Sequence, residues 1–322
     1  MIVKWGLESL PQACSEAGVS AVLLVASPRW DSLQLPVQAV AHWSEVPTDR
    51  IGEAVAAAGG ADGVLVVGGG SAIDLGKAIS AGTGLPLVSL PTTYAGAEWT
   101  SYFGVRDPQR KMRGGGGGAH PTAIVYEPAL TLDLPAETTV GTSMNALAHC
   151  AEALYHPERN AAAERHAETG AMAIGYALPL VVERPDGIYG RTRLLEGAMR
   201  AALALAESGL CLGHAMAQAL GGRYGLPQGS TNAICLPAAL RFNAVAVPDG
   251  VARLAQALGA EDAPARVEEL ARLGGFGRLR DLDVPKADLD EVAEAVVARR
   301  GALENPRPVT AAEVAELLRS IW

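Results

Sequence analysis

Short apolar blocks recur through the first third of the chain, each bounded by glycine, proline or small polar residues. Ala21-Val-Leu-Leu-Val-Ala26 is the first clear block and ends on the turn Ser27-Pro28-Arg29. Gly63 to Val67 is a second, and Leu85 to Leu90 a third, closed by Pro91-Thr-Thr. Ala123-Ile-Val-Tyr126 is a later one, ended by Glu127-Pro128. Between them, Arg50 to Ala58 and Ala72 to Ala81 carry the 3.6-residue spacing of helices. Strands that alternate with helices predict an α/β unit with a parallel sheet.

From Pro135 onward the pattern changes. Ala/Leu/Glu/Arg runs at helical spacing cover Asn160 to Val182, Gly187 to Gly213, Gly250 to Leu258 and Ala287 to Arg299. Helices without intervening strands predict an all-α second domain. The expected boundary puts an α/β domain at 1–134 and a helical domain at 135–322, with the site in a cleft between them. Five consecutive glycines, Gly114 to Gly118, read as a flexible hairpin tip. The stretch from Pro36 to Ile51 leaves little room for a first crossover helix.

Composition narrows the function classes. The chain has 322 residues, 49% of them hydrophobic, enough for a large core. Lys and Arg total 26 against 35 Asp and Glu, a net charge of −9, which argues against a nucleic-acid partner. Small anionic substrates remain compatible, because they respond to the local field of a cleft. Cys14, Cys150, Cys211 and Cys235 form no C-x-x-C pair and are expected to be free thiols of a cytoplasmic protein. No secretory signal, membrane span or membrane partner is expected. A homodimer is the default assembly.

The most informative segment is Val64-Leu-Val-Val-Gly-Gly-Gly-Ser71-Ala-Ile-Asp74-Leu-Gly-Lys77. A buried strand, a glycine turn and a helix start follow one another. Free backbone amides and the positive end of the helix dipole at such a turn suit a phosphate or pyrophosphate. Asp74 reads equally as a carboxylate stabilising the helix N-terminus, and Lys77 as a solvated surface charge.

Several segments together resemble the iron-containing alcohol dehydrogenase superfamily, and within it the maleylacetate reductases. They are Gly68-Gly-Gly-Ser71-x-x-Asp74-x-x-Lys77, Pro91-Thr-Thr-Tyr-Ala-Gly-Ala-Glu98-x-Thr100 and Tyr126-Glu-Pro-x-Leu130-Thr131. Asn145-Ala-Leu-Ala-His149-Cys-Ala-Glu152, His214-Ala-Met-Ala-Gln-Ala-Leu-Gly-Gly222 and the closing Asn305-Pro-Arg-Pro continue the match. The resemblance implies a Rossmann-like dinucleotide-binding domain followed by an all-α domain, the dehydroquinate synthase-like arrangement, and hydride transfer from NADH or NADPH. It implies that Gly69, Gly70 and Ser71 line the pyrophosphate, with Asp74 beside them. Thr92 and Thr93 would meet the cofactor, and Lys111 would reach the nicotinamide ribose. Where NAD-selective relatives place an aspartate, this chain reads Ser27-Pro28-Arg29, so acceptance of NADPH is expected.

The metal site of the resemblance does not carry over. Metal-dependent relatives use Asp and His four residues apart on one helix, a third His on a later helix and a fourth in a Pro-His-Gly turn. Here the positions hold Asn145, His149, His214 and Gln228, with Gln218 and Ala238 where further histidines often stand. Neutral amides are weak ligands, so no catalytic metal is expected. Without one, His149 and His214 are the expected proton donors or enolate stabilisers, and Asn145 and Gln228 would orient the substrate. Tyr94 is a further candidate donor, whereas His42, His120, His156 and His166 read as surface residues.

The leading expectation is a metal-independent NAD(P)H-dependent reductase of a small carbonyl or enone, carboxylated like maleylacetate. Two other readings stand beside it: a metal-dependent alcohol dehydrogenase, and a non-catalytic relative that binds a nucleotide.

Overall fold

The computed structural model describes residues 1–322, which divide into two compact units, Met1–Thr131 and Leu132–Trp322. The first is built on a sheet of six parallel strands in the order β1-β8-β5-β4-β2-β3. The strands are β1 (Ile2–Trp5), β2 (Ala21–Ala26), β3 (Gln38–Trp43), β4 (Gly63–Gly68), β5 (Leu87–Pro91) and β8 (Ala123–Tyr126). A separate antiparallel hairpin pairs β6 (Phe103–Arg106) with β7 (Met112–Gly116).

Side-chain alternation along the central strands explains how both faces are covered. Val22, Leu65, Val67, Val88 and Val125 pack with Leu10 and Cys14 of helix α1 (Leu10–Glu16). Leu23, Val25, Val64 and Val66 pack on the other face with Ala54 of α2 (Ile51–Ala56) and Leu75 and Ile79 of α3 (Gly70–Thr83). The unbroken apolar runs read as strands are therefore central and doubly buried. The stretch from Pro36 to Ile51 carries strand β3 and no helix before α2 begins at Ile51, and a single 3-10 turn, Pro28–Trp30, is the only helical element between β2 and β3.

The glycine run does not form the hairpin tip. Gly114, Gly115 and Gly116 lie within β7, and the turn is made by residues 107–111. A Cβ on Gly116 would sit 2.6 Å from the Phe103 ring, and one on Gly115 2.7 Å from the Phe103 carbonyl oxygen. Close cross-strand packing, rather than looseness, accounts for glycine here.

The second unit is entirely helical. It comprises α4 (Ala136–Ala153), α5 (Ala161–Glu183), α6 (Ile188–Ala206), α7 (Leu212–Tyr224) and α8 (Gln228–Asn243). Five shorter helices follow: α9 (Pro248–Ala257), α10 (Ala263–Arg272), α11 (Leu289–Val297), α12 (Arg300–Leu303) and α13 (Ala311–Ser320). The predicted run from Gly187 to Gly213 is two segments, because α6 ends at Ala206 and α7 begins at Leu212. Gly225, in the left-handed conformation, closes α7. Burial pushes up the thiols of Cys14, Cys150, Cys211 and Cys235, all unpaired. No helix is long and apolar enough to cross a membrane.

Candidate functional site

In the first unit the candidate residues gather where the strand order reverses, between β2 and β4, at the carboxyl ends of the strands. Open parallel sheets place ligands there. Parallel register sets Ala26 of β2 beside Val67 and Pro91 of β5 beside Gly68, so Ser27, the glycine turn and Thr92 become neighbours. The Thr92 amide donates to the Gly68 carbonyl at 3.0 Å. A Cβ on Gly69 would lie 2.7 Å from Thr93 Cγ2, so the turn and the threonine pair fit only with glycine there. Gly69 is the N-cap of α3 and no side chain caps the helix. The Ala72 amide donates to the Gly69 carbonyl at 2.9 Å, which leaves the Gly70 and Ser71 amides of the first turn for an anion. A Cβ on Gly70 would meet nothing closer than the Ala95 and Ala97 methyls, at 3.9 Å. These features fit a pyrophosphate.

Other predicted positions are engaged differently. Asp74 accepts the Gly104 amide at 3.0 Å and pairs with Lys77 Nζ at 3.1 Å, which fastens the β6–β7 hairpin to α3. Lys77 is not a solvated charge. It is fully buried and donates to the Tyr102 carbonyl at 2.6 Å and to Thr100 Oγ1 at 3.1 Å. Lys111 is exposed in the hairpin turn, where its amide donates to Asp107. Ser27 is half-buried, and the exposed Arg29 lies 5.3 Å from the Trp30 ring. Tyr94 is fully buried and its hydroxyl donates to Thr131 Oγ1 at 3.0 Å, so its proton is engaged within this unit. That removes it as a substrate donor.

In the second unit, helical spacing puts Asn145, His149 and Glu152 on one side of α4, while α7 supplies His214. The two imidazoles stack, with centroids 4.8 Å apart and planes inclined by 11°. His214 is fully buried and His149 is 5% exposed. Asn145 Nδ2 stands 3.5 Å from His149 Nε2, and Asn145 Oδ1 accepts from Asn232 Nδ2 of α8 at 2.7 Å. Burial, reinforced by the neighbouring His214, holds His149 well below the ordinary imidazole range. Its Nδ1 and His214 Nε2 have no hydrogen-bond partner.

Gln228 opens α8, one helical turn before Asn232. Its turn is pressed against α4: a Cβ on Gly229 would lie 2.4 Å from the Gly141 carbonyl. Glu152, which the sequence offered only as part of a motif, is fully buried and joined to His214. Its Oε2 accepts from His214 Nδ1 at 2.8 Å and from the Cys211 amide at 2.7 Å, and Oε1 from the His214 amide at 3.0 Å. The signal available in the sequence was a carboxylate within an otherwise apolar, alanine-rich stretch. Of the four remaining histidines, His42 and His120 are exposed and His166 is half-buried. His156 is not a surface residue: it is 1% exposed, accepts the Glu158 amide at 3.1 Å and lies 3.6 Å from Glu304.

Residues 3–128 match the family model of the iron-containing alcohol dehydrogenases, and residues 139–322 match the C-terminal model of the same family. The chain belongs to this family. It is an oxidoreductase of that kind. It is 35% identical to the maleylacetate reductase of Pseudomonas knackmussii over 329 aligned residues, 98% of this chain and 93% of the relative. Among solved structures, a putative alcohol dehydrogenase from Ralstonia eutropha superposes with a TM-score of 0.93 at 32% identity, covering 100% of this chain and 95% of that one. Maleylacetate reductase from Agrobacterium tumefaciens gives a TM-score of 0.90, also at 32% identity, with 100% and 95% coverage.

Proposed function

We propose that this protein is a metal-independent, NAD(P)H-dependent reductase of a small carbonyl or enone, with carboxylated compounds such as maleylacetate as the substrate class. The observation that carries the metal-independent part is the state of the four ligand positions. Asn145 Oδ1, the atom replacing a carboxylate ligand, already accepts from Asn232, and Asn145 Nδ2 faces the Nε2 of His149. The two imidazoles are stacked face to face, and His214 Nδ1 is already bonded to Glu152. No group of three or more His, Cys, Asp or Glu is arranged so that it could hold a metal ion. This donor set does not fit a bound metal ion.

The dinucleotide, when bound, supplies hydride. Gly69, Gly70, Ser71, Thr92 and Thr93 would hold its phosphates, and Ser27 with Arg29 would accept the 2′-phosphate of NADPH, no acid standing there to repel it. His149 and His214 would act on the substrate oxygen, with Asn145 and Gln228 orienting it. Likeness to maleylacetate reductases over nearly the whole chain supports the substrate class.

The test is turnover of maleylacetate and of small aldehydes with NADH and NADPH, alongside metal analysis of protein purified without chelator. Oxidation of reduced cofactor by maleylacetate, unchanged by EDTA, is the expected result. Stoichiometric iron or zinc whose removal abolishes turnover gives instead the metal-dependent alcohol dehydrogenase. Cofactor binding without turnover of any substrate gives the non-catalytic relative.

A further inference from the structure

Two stacked imidazoles look interchangeable, yet only one of them is backed by an anion. Three donors converge on the Glu152 carboxylate, namely His214 Nδ1 and the amides of Cys211 and His214. The amides are orphan donors of the first turn of α7, whose N-cap residue, Cys211, supplies no side-chain bond. Backbone groups therefore fix the carboxylate from two sides. Gly213 makes the approach possible, because a Cβ there would sit 2.9 Å from Glu152 Oε1.

We propose that Glu152 is a positioning residue for the reduction: it holds His214 with the proton on Nδ1 and presents Nε2 as the ring atom that passes a proton to the substrate. This rests on the reductase reading above. A carboxylate accepting from every neighbour leaves Nδ1 no role but donor. Nε2 on the opposite edge of the ring is buried and has no partner. His149 is held the other way round, with Nε2 facing Asn145 and no carboxylate bonded to its ring.

Hydride brings two electrons to the substrate carbon and the π bond breaks towards oxygen. The proton on His214 Nε2 then goes to that oxygen, or to the carbon of the enolate. The cofactor leaves oxidised and His214 leaves neutral. Its Nδ1 proton and its bond to Glu152 are unchanged, so the ring needs no reorientation during the transfer. A fixed tautomer of this kind is how carboxylate–imidazole pairs act in other enzymes.

A helix cap with no part in the reaction would stabilise α7 and leave turnover alone. Glu152→Gln separates the two, since it keeps the volume but offers an NH2 in place of one oxygen. The experiment records 15N spectra of the histidine rings at about pH 9, above the ordinary imidazole range, with His214 assigned by comparison with His214→Gln. Wild type is expected to show His214 protonated on Nδ1. Glu152→Gln is expected to lose that signature and about 100-fold in kcat, with KM for the reduced cofactor unchanged. A wild-type ring protonated on Nε2 overturns the proposal, and so does a Glu152→Gln variant that keeps either its tautomer or its kcat. Should Glu152→Gln fail to fold, the wild-type spectrum decides. A wild type without reductase turnover defeats the functional reading, while the spectrum still reports on Glu152.

Discussion

His149 and His214 lie face to face, 4.8 Å between ring centroids, on helices that meet nowhere near each other in sequence. Under the proposed function, the stack brings together the two groups that act on the substrate. His149→Ala and His214→Ala are each expected to lower kcat by about 100-fold or more. Affinity for NADH, followed by its fluorescence, should stay within about twofold (0.4 kcal/mol) of wild type. Equal loss of cofactor affinity would place the histidines in the cofactor site instead.

Gly70→Ala isolates the glycine turn. The added methyl meets only Ala95 and Ala97 at 3.9 Å, so the fold should keep its stability or gain up to about 1 kcal/mol. Binding of NADH and NADPH should weaken about tenfold or more, since the methyl stands where a pyrophosphate approaches the amides. Calorimetry and thermal unfolding read the two effects separately. Unchanged cofactor affinity would count against the turn as the binding site.

Lys77→Met tests the buried ion pair. It leaves Asp74 and the Tyr102 carbonyl without their shared donor. Destabilisation of about 3 kcal/mol is expected in urea titrations, together with faster amide exchange at Gly104 and Val105. A loss under about 0.5 kcal/mol would fit a surface lysine.

Stability should vary with pH through His149. Its folded-state pKa lies below the unfolded value of about 6.5. Below that value the unfolded chain binds a proton that the folded ring refuses, so stability falls as pH drops from about 6.5 towards the folded-state pKa. Above it there is no contribution. Glu98 works in the opposite direction: burial raises its carboxyl, which accepts from the Tyr126 hydroxyl at 2.8 Å. The unfolded carboxyl ionises first, so this group takes stability away as pH rises above the ordinary carboxylate range. Thermal unfolding of His149→Gln should show a flatter acid limb than wild type, and Glu98→Gln a flatter neutral one.

Much of this was legible in residue order. Val64 to Val67 announced a doubly buried strand, and Gly69 and Ser71 the turn after it, because such patterns are local. His149 and His214 were legible through family motifs. What escaped was set by tertiary partners. Lys77 carries an ordinary surface charge until Asp74, Thr100 and Tyr102 surround it. Tyr94 offered a hydroxyl whose partner, Thr131, lies 37 residues away. The glycines of β7 spelled looseness, since nothing nearby in sequence showed Phe103 lying across them. Strands β1 and β3 went unseen because they are edge strands, only partly buried and with weaker apolar signals.

Gly141 and Gly229 let the backbones of α4 and α8 touch with no side chain between them. At this crossing the two helices lie in backbone contact. Gln228, at the head of α8, is thereby held against the stretch of α4 that begins two turns before His149. Under the proposed function, even one methyl at Gly229 would part the two helices and disturb the site that Gln228 and His149 are proposed to share.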